Sequence, residues 1–455
     1  MNNKNRVFEF LYKNHENEYN INQISRIVGI SVGSAFKILK ELENLGYITV
    51  GRKNNALLHK INLSESSKEF YEKIEEDENT KSRKKTKIVC SITPTCKTLI
   101  KKLIENGMNV ASIDASSLNH KTALELVQSV RQASDEMPIL LNVDLKDKQW
   151  IKLALKNDVD FVAIAAANAY DVVEVNKSLG YSDIKQIIGE KIKVIATINK
   201  DSLRNYKEIV EEAYGIIIDR SKLTTNLEML PKLQKEIIDE CNKHGKPAII
   251  AGSVLDSMAE GRLLQAEIYD ISNAVLEGAS ALMLSGAAIQ NNPAKAVETL
   301  SKIIKSAEMG WAGIDYNNSY DLTHFIGKTV SELEKTFHID ALLIITSGGY
   351  SARMISSRRL KCRTIAATSR KKILRQLNLL WGIEPLHAEI DSEDISNKDK
   401  KEVISKALKK GFIGKRDQIA IIASIFHSKT KRTNLLEIHN VSEFLEYLNK
   451  MKEAH

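Results

Sequence analysis

Hydrophobic positions change their spacing several times along the chain, and each change predicts a different kind of element. Between Arg6 and Lys13, Val7, Phe8, Phe10 and Leu11 fall on roughly helical spacing, and Ile21 to Val28 repeats the pattern with Ile24, Ile27 and Val28. Gly29 breaks that run. Ser31 is then placed to cap a third helix, whose apolar face is predicted as Ala35, Ile38, Leu39, Leu42 and Leu45. After Gly46 the period becomes that of strands, Tyr47 to Gly51 and Ala56 to Ile61, joined by RKNN with Arg52 and Lys53 at the hairpin tip. Ser64 to Glu78 is rich in Glu, and Phe70, Tyr71 and Ile74 predict a helix that packs on this unit or pairs across a dimer. TKSRKK, residues 80–85, reads as an exposed basic linker.

From Thr86 onward, buried strands alternate with amphipathic helices: KIVCSI, NVASID, ILLNVDL, FVAIAA, KVIATI, GIIID, PAIIAG and ALMLSG. Eight such units are what a closed parallel barrel needs, and barrels of this kind place chemistry on the loops after the strands. Residues 319–455 alternate strand and helix again, with LLIIT, TIAAT and QIAIIAS as parallel strands. The expected organisation is multidomain α/β: an N-terminal domain at 1–63, a helix and linker at 64–85, a barrel at 86–318 and a C-terminal α/β domain at 319–455.

Composition agrees with this division. The chain has 455 residues, and at roughly 100 to 200 residues per domain that suggests two to four domains. With 43% hydrophobic and 27% charged residues, it has the balance of a globular protein that buries ordinary cores. No apolar run approaches the roughly 18 to 20 residues needed to span a bilayer, and MNNKNRVFEF lacks the apolar core of a signal peptide. A cytoplasmic protein without a membrane partner is expected. Cys90, Cys96, Cys241 and Cys362 are scattered, so neither a disulfide frame nor a zinc site is implied. The formal charge of +8 is compatible with nucleic acid but decides little alone.

The first domain carries the candidate DNA chemistry. Ser34, Lys37 and Lys40 lie opposite the apolar face of the third helix, where they can reach phosphates and base edges in a major groove, with Ser31 at the helix start. Arg52 and Lys53 add charge at the hairpin. Residues 4–63 resemble the winged-helix domains of prokaryotic transcription regulators, including the phrase ILKELENLGYI, which implies double-stranded DNA as a partner. A helical cap that serves only subunit contact is the alternative.

The remainder resembles the pyruvate kinase family. TKIVCSITP with LIENGMNVASID is similar to the family's opening, KLQKEIIDECNKHGKPAIIAGSVLDSM with AEIYDISNAVLEGASALMLSG to its later barrel units, and ALLIITSGGYSARMIS, LNLLWGIEP and TNLLEIHNV to its C-terminal domain. The resemblance implies a (β/α)8 TIM barrel, a C-terminal effector domain and a homodimer or homotetramer. It also implies a site that this sequence departs from. The family's lysine-isoleucine-glutamate stretch reads Thr197, Ile198 and Asn199, and its second metal acid corresponds to Lys222 in Arg220 to Thr224. The phosphate-gripping arginine after the second strand corresponds to Ser112, an aspartate after the third to Asn142, a threonine to Gly252, and a serine after the fourth to Ala165. Only Asp114 and Ser116 keep polar character near the second strand. The family's inserted lid domain is missing, because Leu141 to Leu145 runs almost directly into the helix beginning near Asp147. A regulator on a catalytically silent scaffold, with no cofactor, is therefore expected. The alternative is a working pyruvate kinase or altered phosphotransferase, using magnesium and potassium, with a DNA-binding tether; a barrel that binds phosphoenolpyruvate without turnover also stays open, with Arg220 and Lys222 supplying charge.

In the resembled family the C-terminal domain binds a phosphorylated effector. Thr346, Ser347, Gly348, Gly349, Tyr350 and Ser351 follow a strand and open a helix, offering backbone N–H groups and hydroxyls to a phosphate. Lys429, Lys431 and Arg432 stand in place of the family's glycine-rich effector loop, where they can either grip a second phosphate or simply be solvated. His427 and His439 are expected to be structural, and Trp381 to be packing.

Overall fold

The computed structural model describes residues 3–53, 56–71, 84–144, 147–180, 191–223, 227–309, 311, 322–390, 395–424 and 433–453. They divide into two compact units, Met1–Arg83 and Lys84–His455.

The first unit contains α1 (Asn3–Lys13), β1 (Tyr19–Asn20), α2 (Ile21–Val28), α3 (Val32–Asn44), β2 (Ile48–Lys53), β3 (Ala56–Ile61) and α4, helical over residues 65–71. The strands form an antiparallel sheet in the order β1-β3-β2. Local chemistry sets the helix ends. Asn20 and Gln23 close a capping box on α2, Gly29 leaves it at φ +70°, and Ser31 Oγ accepts from Ser34 N at 3.1 Å to start α3. Val7, Phe8, Leu11, Ile24, Leu39, Leu42, Ile48 and Ile61 make the core, and Phe70 of α4 packs edge-on against Phe8 with centroids 4.8 Å apart. Two predicted core positions are exposed instead. Ile27 lies on the outer side of a helix only two turns long, and Leu45 falls past the end of α3, where Gly46 turns the chain at φ +75°. β2 also runs two residues beyond its predicted end, so Arg52 and Lys53 occupy the last ladder rungs, opposite Leu57 and Ala56.

All eight predicted barrel strands are present: β4 (Lys87–Ser91), β5 (Val110–Asp114), β6 (Ile139–Val143), β7 (Phe161–Ala165), β8 (Lys193–Ile198), β9 (Gly215–Asp219), β10 (Ala248–Ala251) and β11 (Ala281–Leu284). They close in sequence, with β11 pairing β4 in parallel from Ala281↔Lys87 to Leu284↔Cys90. Between and after them come α5 (Ile100–Glu105), α6 (His120–Ala133), α7 (Lys148–Lys156), α8 (Ala169–Ser178), α9 (Tyr206–Glu212), α10 (Arg220–Leu223), α11 (Leu230–Lys243), α12 (Gln265–Leu276) and α13 (Pro293–Glu308). Val89, Val110, Leu140, Phe161, Ile195, Ile217 and Ile249 fill the lumen. Only residues 144–147 separate β6 from α7, which leaves no room for an inserted domain.

The C-terminal domain contains α14 (Leu322–Thr336), β12 (Ala341–Ile345), α15 (Tyr350–Ser356), β13 (Arg363–Thr368), α16 (Lys371–Leu377), β14 (Ile383–His387), α17 (Asn397–Lys409), β15 (Gln418–Ala423), β16 (Leu435–Asn440) and α18 (Val441–Glu453). Its sheet order is β14-β13-β12-β15-β16, parallel except for β16 against β15. This domain seals the barrel floor, where the strands begin. Leu379 joins the lumen cluster, and Trp381 donates to Thr86 Oγ1 at 3.2 Å. The fully buried Asp160 accepts from Arg375 Nε at 2.7 Å and from Arg131 at 2.8 Å. The floor is thereby committed to holding the two domains together, and the opposite mouth is left for chemistry.

Candidate functional site

At the mouth, the side chains are occupied by one another. Asn199 follows β8 and spends its amide oxygen on the N–H groups of Asp201 (3.0 Å) and Ser202 (3.2 Å), capping a single short turn. Asp219 ends β9 and accepts from Ser221 Oγ at 2.6 Å, while its other oxygen lies 3.0 Å from Lys222 Nζ. Arg220 is held by both carboxylate oxygens of Asp270 at 2.7 Å and by the carbonyl of Gly252 at 2.8 and 3.0 Å. Gly252 has φ +81°, and a Cβ there would lie 2.9 Å from Ser221 N and 3.1 Å from Asp219 Oδ1. The close approach of the Asp219–Ser221 turn therefore requires glycine. Ser253 and Leu255 continue in left-handed conformations, at φ +54° and +58°.

On the other side of the mouth, Asp114 Oδ1 accepts from Ser116 Oγ at 2.6 Å and from Asn142 Nδ2 at 3.4 Å. Ser112 lies inside β5 rather than after it. It is buried, and its Oγ has no hydrogen-bond partner among the described residues. Asn142 likewise lies within β6, and Ala165 is the last residue of β7. A divalent metal needs carboxylate oxygens converging on one point. Asn199 and Lys222 do not supply them, and among the described residues no three His, Cys, Asp or Glu side chains are placed to hold a metal ion.

In the C-terminal domain, Gly349 takes φ +77° and donates its N–H to Thr346 Oγ1 at 3.0 Å, which folds the turn back on itself. Thr346 is buried and shapes the loop, whereas Ser347 and Gly348 are partly exposed and Tyr350 is exposed. The Ser351 hydroxyl bonds that of Thr433, bringing the turn beside the start of β16. Lys429, Lys431, Arg432 and His427 lie outside the described residues. His439 stacks on Phe444 and bonds Glu437 at 3.2 Å, which agrees with a structural role.

In the N-terminal unit, Lys37 and Lys40 are exposed on α3, and Arg52 and Lys53 are exposed on β2. Ser34 is partly buried, and its hydroxyl accepts from Ser31 Oγ at 2.9 Å. Sequence reasoning passed over Val32 and Phe36, which are exposed on α3, Phe36 by 56%. The signal was available: positions 32, 36 and 40 share a helical face that excludes Ala35, Leu39 and Leu42.

Comparison with known proteins bears on the second unit. Residues 139–297 match the model of the pyruvate kinase barrel domain, and residues 324–439 match that of the pyruvate kinase alpha/beta domain. A pyruvate kinase of Sporosarcina psychrophila is 31% identical over 317 residues, covering 66% of this chain and 52% of the relative. One of Staphylococcus aureus (strain USA300) is 30% identical over 314 residues with the same coverage. The chain spans about half the length of these relatives.

Proposed function

The barrel and the C-terminal domain are pyruvate kinase domains, and from that premise we propose that this protein is a DNA-binding transcription regulator built on a catalytically silent pyruvate-kinase-like scaffold. The N-terminal unit is read as a winged helix, with α3 entering the major groove and the β2–β3 hairpin as the wing. The observation that carries the reading is the state of the mouth. The family's enolate chemistry requires a lysine cation and a divalent metal, and here the matching positions are Thr197, Asn199 and a lysine, Lys222, already paired with Asp219 at 3.0 Å. A cation among metal ligands repels the ion. The short β6–α7 connection also leaves no lid to exclude water from a transferring phosphoryl group.

Support for DNA binding comes from the arrangement of charge. Lys37 and Lys40 share the exposed side of α3 with Phe36, and Arg52 and Lys53 project from a separate element. Lysine and arginine neutralise backbone phosphates, and an exposed aromatic ring can meet a thymine methyl. The TSGGYS turn is read as the site of a phosphorylated metabolite, and a homodimer or homotetramer would present paired helices to a two-fold operator.

Two assays decide between this and a working kinase. Purified chain should make no ATP from phosphoenolpyruvate and ADP with magnesium and potassium, and it should select discrete fragments from genomic DNA. Turnover that disappears in Lys222→Ala or Asn199→Ala would establish the enzyme instead. Thermal stabilisation by phosphoenolpyruvate without turnover would place a ligand at the mouth, and its persistence in Ser351→Ala would separate that ligand from one at the turn.

A further inference from the structure

The first turns of α3 carry a surface that packing within the N-terminal unit does not explain. Val32 and Phe36, 47% and 56% exposed, stand one helical turn apart, with Lys40 a turn further on. Gly33 lies beside them on the exposed side. Its backbone is outside the left-handed region, and apart from its chain neighbours a Cβ there would meet no side chain or adjacent element within 4 Å among the described residues. Glycine inside a helix costs stability relative to alanine, so neither conformation nor packing accounts for it here. Gly51 in β2, opposite Leu58, is open in the same way. The neighbouring Ser31 hydroxyl is already engaged, accepting from Ser34 N at 3.1 Å and donating to Ser34 Oγ at 2.9 Å.

Charge along this stretch is of one sign. No Asp or Glu occurs between Tyr19 and Lys40, and Arg26, Lys37 and Lys40 are exposed there. The next acid, Glu41, is paired with Lys4 at 2.6 Å. A narrow apolar strip among cations suits a polyanion that has apolar features of its own. The major groove of B-DNA is about 12 Å wide and admits an α-helix about 10 to 12 Å across, so a residue without a side chain lets the inserted turn seat closer to the bases. Valine and phenylalanine side chains have no hydrogen-bonding group, and the apolar feature that base edges offer in that groove is the C5-methyl of thymine. Set against a G·C pair, the same side chains would strip water from donors and acceptors without replacing it. We propose that Val32 and Phe36 read thymine methyl groups in the major groove, with Gly33 admitting the close approach that this contact needs. On the regulator reading, on which this assignment rests, the lysines hold phosphates and A·T pairs are selected beneath the first turns of α3.

The test removes the methyl groups one at a time. In a genomic fragment selected by the full chain, each thymine of the bound site is replaced in turn by deoxyuridine, which keeps every hydrogen-bonding group and lacks only the C5-methyl. At the contacted positions affinity should fall about fourfold, the worth of one buried methylene. In Phe36→Ala or Val32→Ala the loss at the matching position should vanish, because thymine and uracil then present the same surface to the chain. The salt dependence of binding should be unaltered in both, since neither removes a charge. Gly33→Ala, which puts a methyl group between helix and bases, should weaken binding by about tenfold although it favours the helix. The proposal is overturned if uracil is tolerated at every position, if its losses persist in both alanine variants, or if Gly33→Ala binds as tightly as the unmodified chain. Salt-sensitive binding without a methyl effect removes this assignment and leaves the regulator reading standing. No DNA binding at all removes both, and adsorption to vesicles of anionic lipid would then assign the strip to a membrane surface. The uracil scan of the unmodified chain needs no variant, so it decides even where a substituted chain fails to fold.

Discussion

Asp160 is the residue on which the domain seam turns. It is fully buried, accepts from Arg375, Arg131 and the N–H of Ile139, and forms the barrel's half of the link to α16. Removing it leaves two arginines without their shared partner, so Asp160→Ala should destabilise the second unit by about 3 to 5 kcal/mol, read from the denaturant midpoint. The buried lysines make a separate prediction about pH. Burial, with Arg353, Lys191 and Lys372 nearby, pulls Lys193 down to about 7, and burial beside Arg353 does the same to Lys246. Above about pH 7 the folded chain releases these protons, whereas the unfolded chain keeps them until near pH 10.4, so stability rises with pH in that window. The slope is at most about 1.4 kcal/mol per pH unit for each proton. Cys90 and Cys241, whose thiols burial pushes up, act in the opposite sense once unfolded thiols ionise near pH 8.5. Between about pH 7 and 8 the midpoint should therefore climb, and it should climb less in Lys193→Met. A flat or falling midpoint would contradict the assignment of neutral buried lysines. Little of this was legible in the sequence, because nothing local distinguishes Arg353 or Lys193 from the many lysines and arginines that face solvent. Ser31 was legible because a cap is a local device.

Among elements, every barrel strand was read correctly from its run of β-branched residues between glycines, polar turns and helices. The two edge strands of the C-terminal sheet were not. β14 contains Pro385, which argues against a strand unless it sits at an edge, and the half-exposed LLEIHN of β16 lacks a buried apolar run. The N-terminal helices were placed from periodicity, yet Ile27 and Leu45 show its limit: spacing identifies a face without saying where the neighbouring helix ends. The loop after β10 tests the reading of the mouth. Placing there the threonine that the family resemblance implies, by Gly252→Thr, should destabilise the second unit by about 1 to 3 kcal/mol, because a Cβ there meets the Asp219–Ser221 turn in a left-handed backbone. A substitution neutral in thermal unfolding would mean that the turn relaxes easily.

For the whole molecule, the eightfold alternation and the short connection after β6 were plain in the sequence, since they depend on order and length. The sealing of the floor was not, because Trp381 and Arg375 meet Thr86 and Asp160 only after more than two hundred residues of intervening chain. The proposed division of labour puts DNA reading in the first unit and ligand sensing in the second. Its most direct test is a titration of the full chain with a selected genomic fragment at increasing salt. Affinity should fall linearly on a log–log plot, by about 0.9 per phosphate contacted, and Lys37→Ala and Arg52→Ala should each weaken binding and flatten the slope by about 1. Binding that is absent, or indifferent to salt and to both substitutions, would contradict the regulator reading.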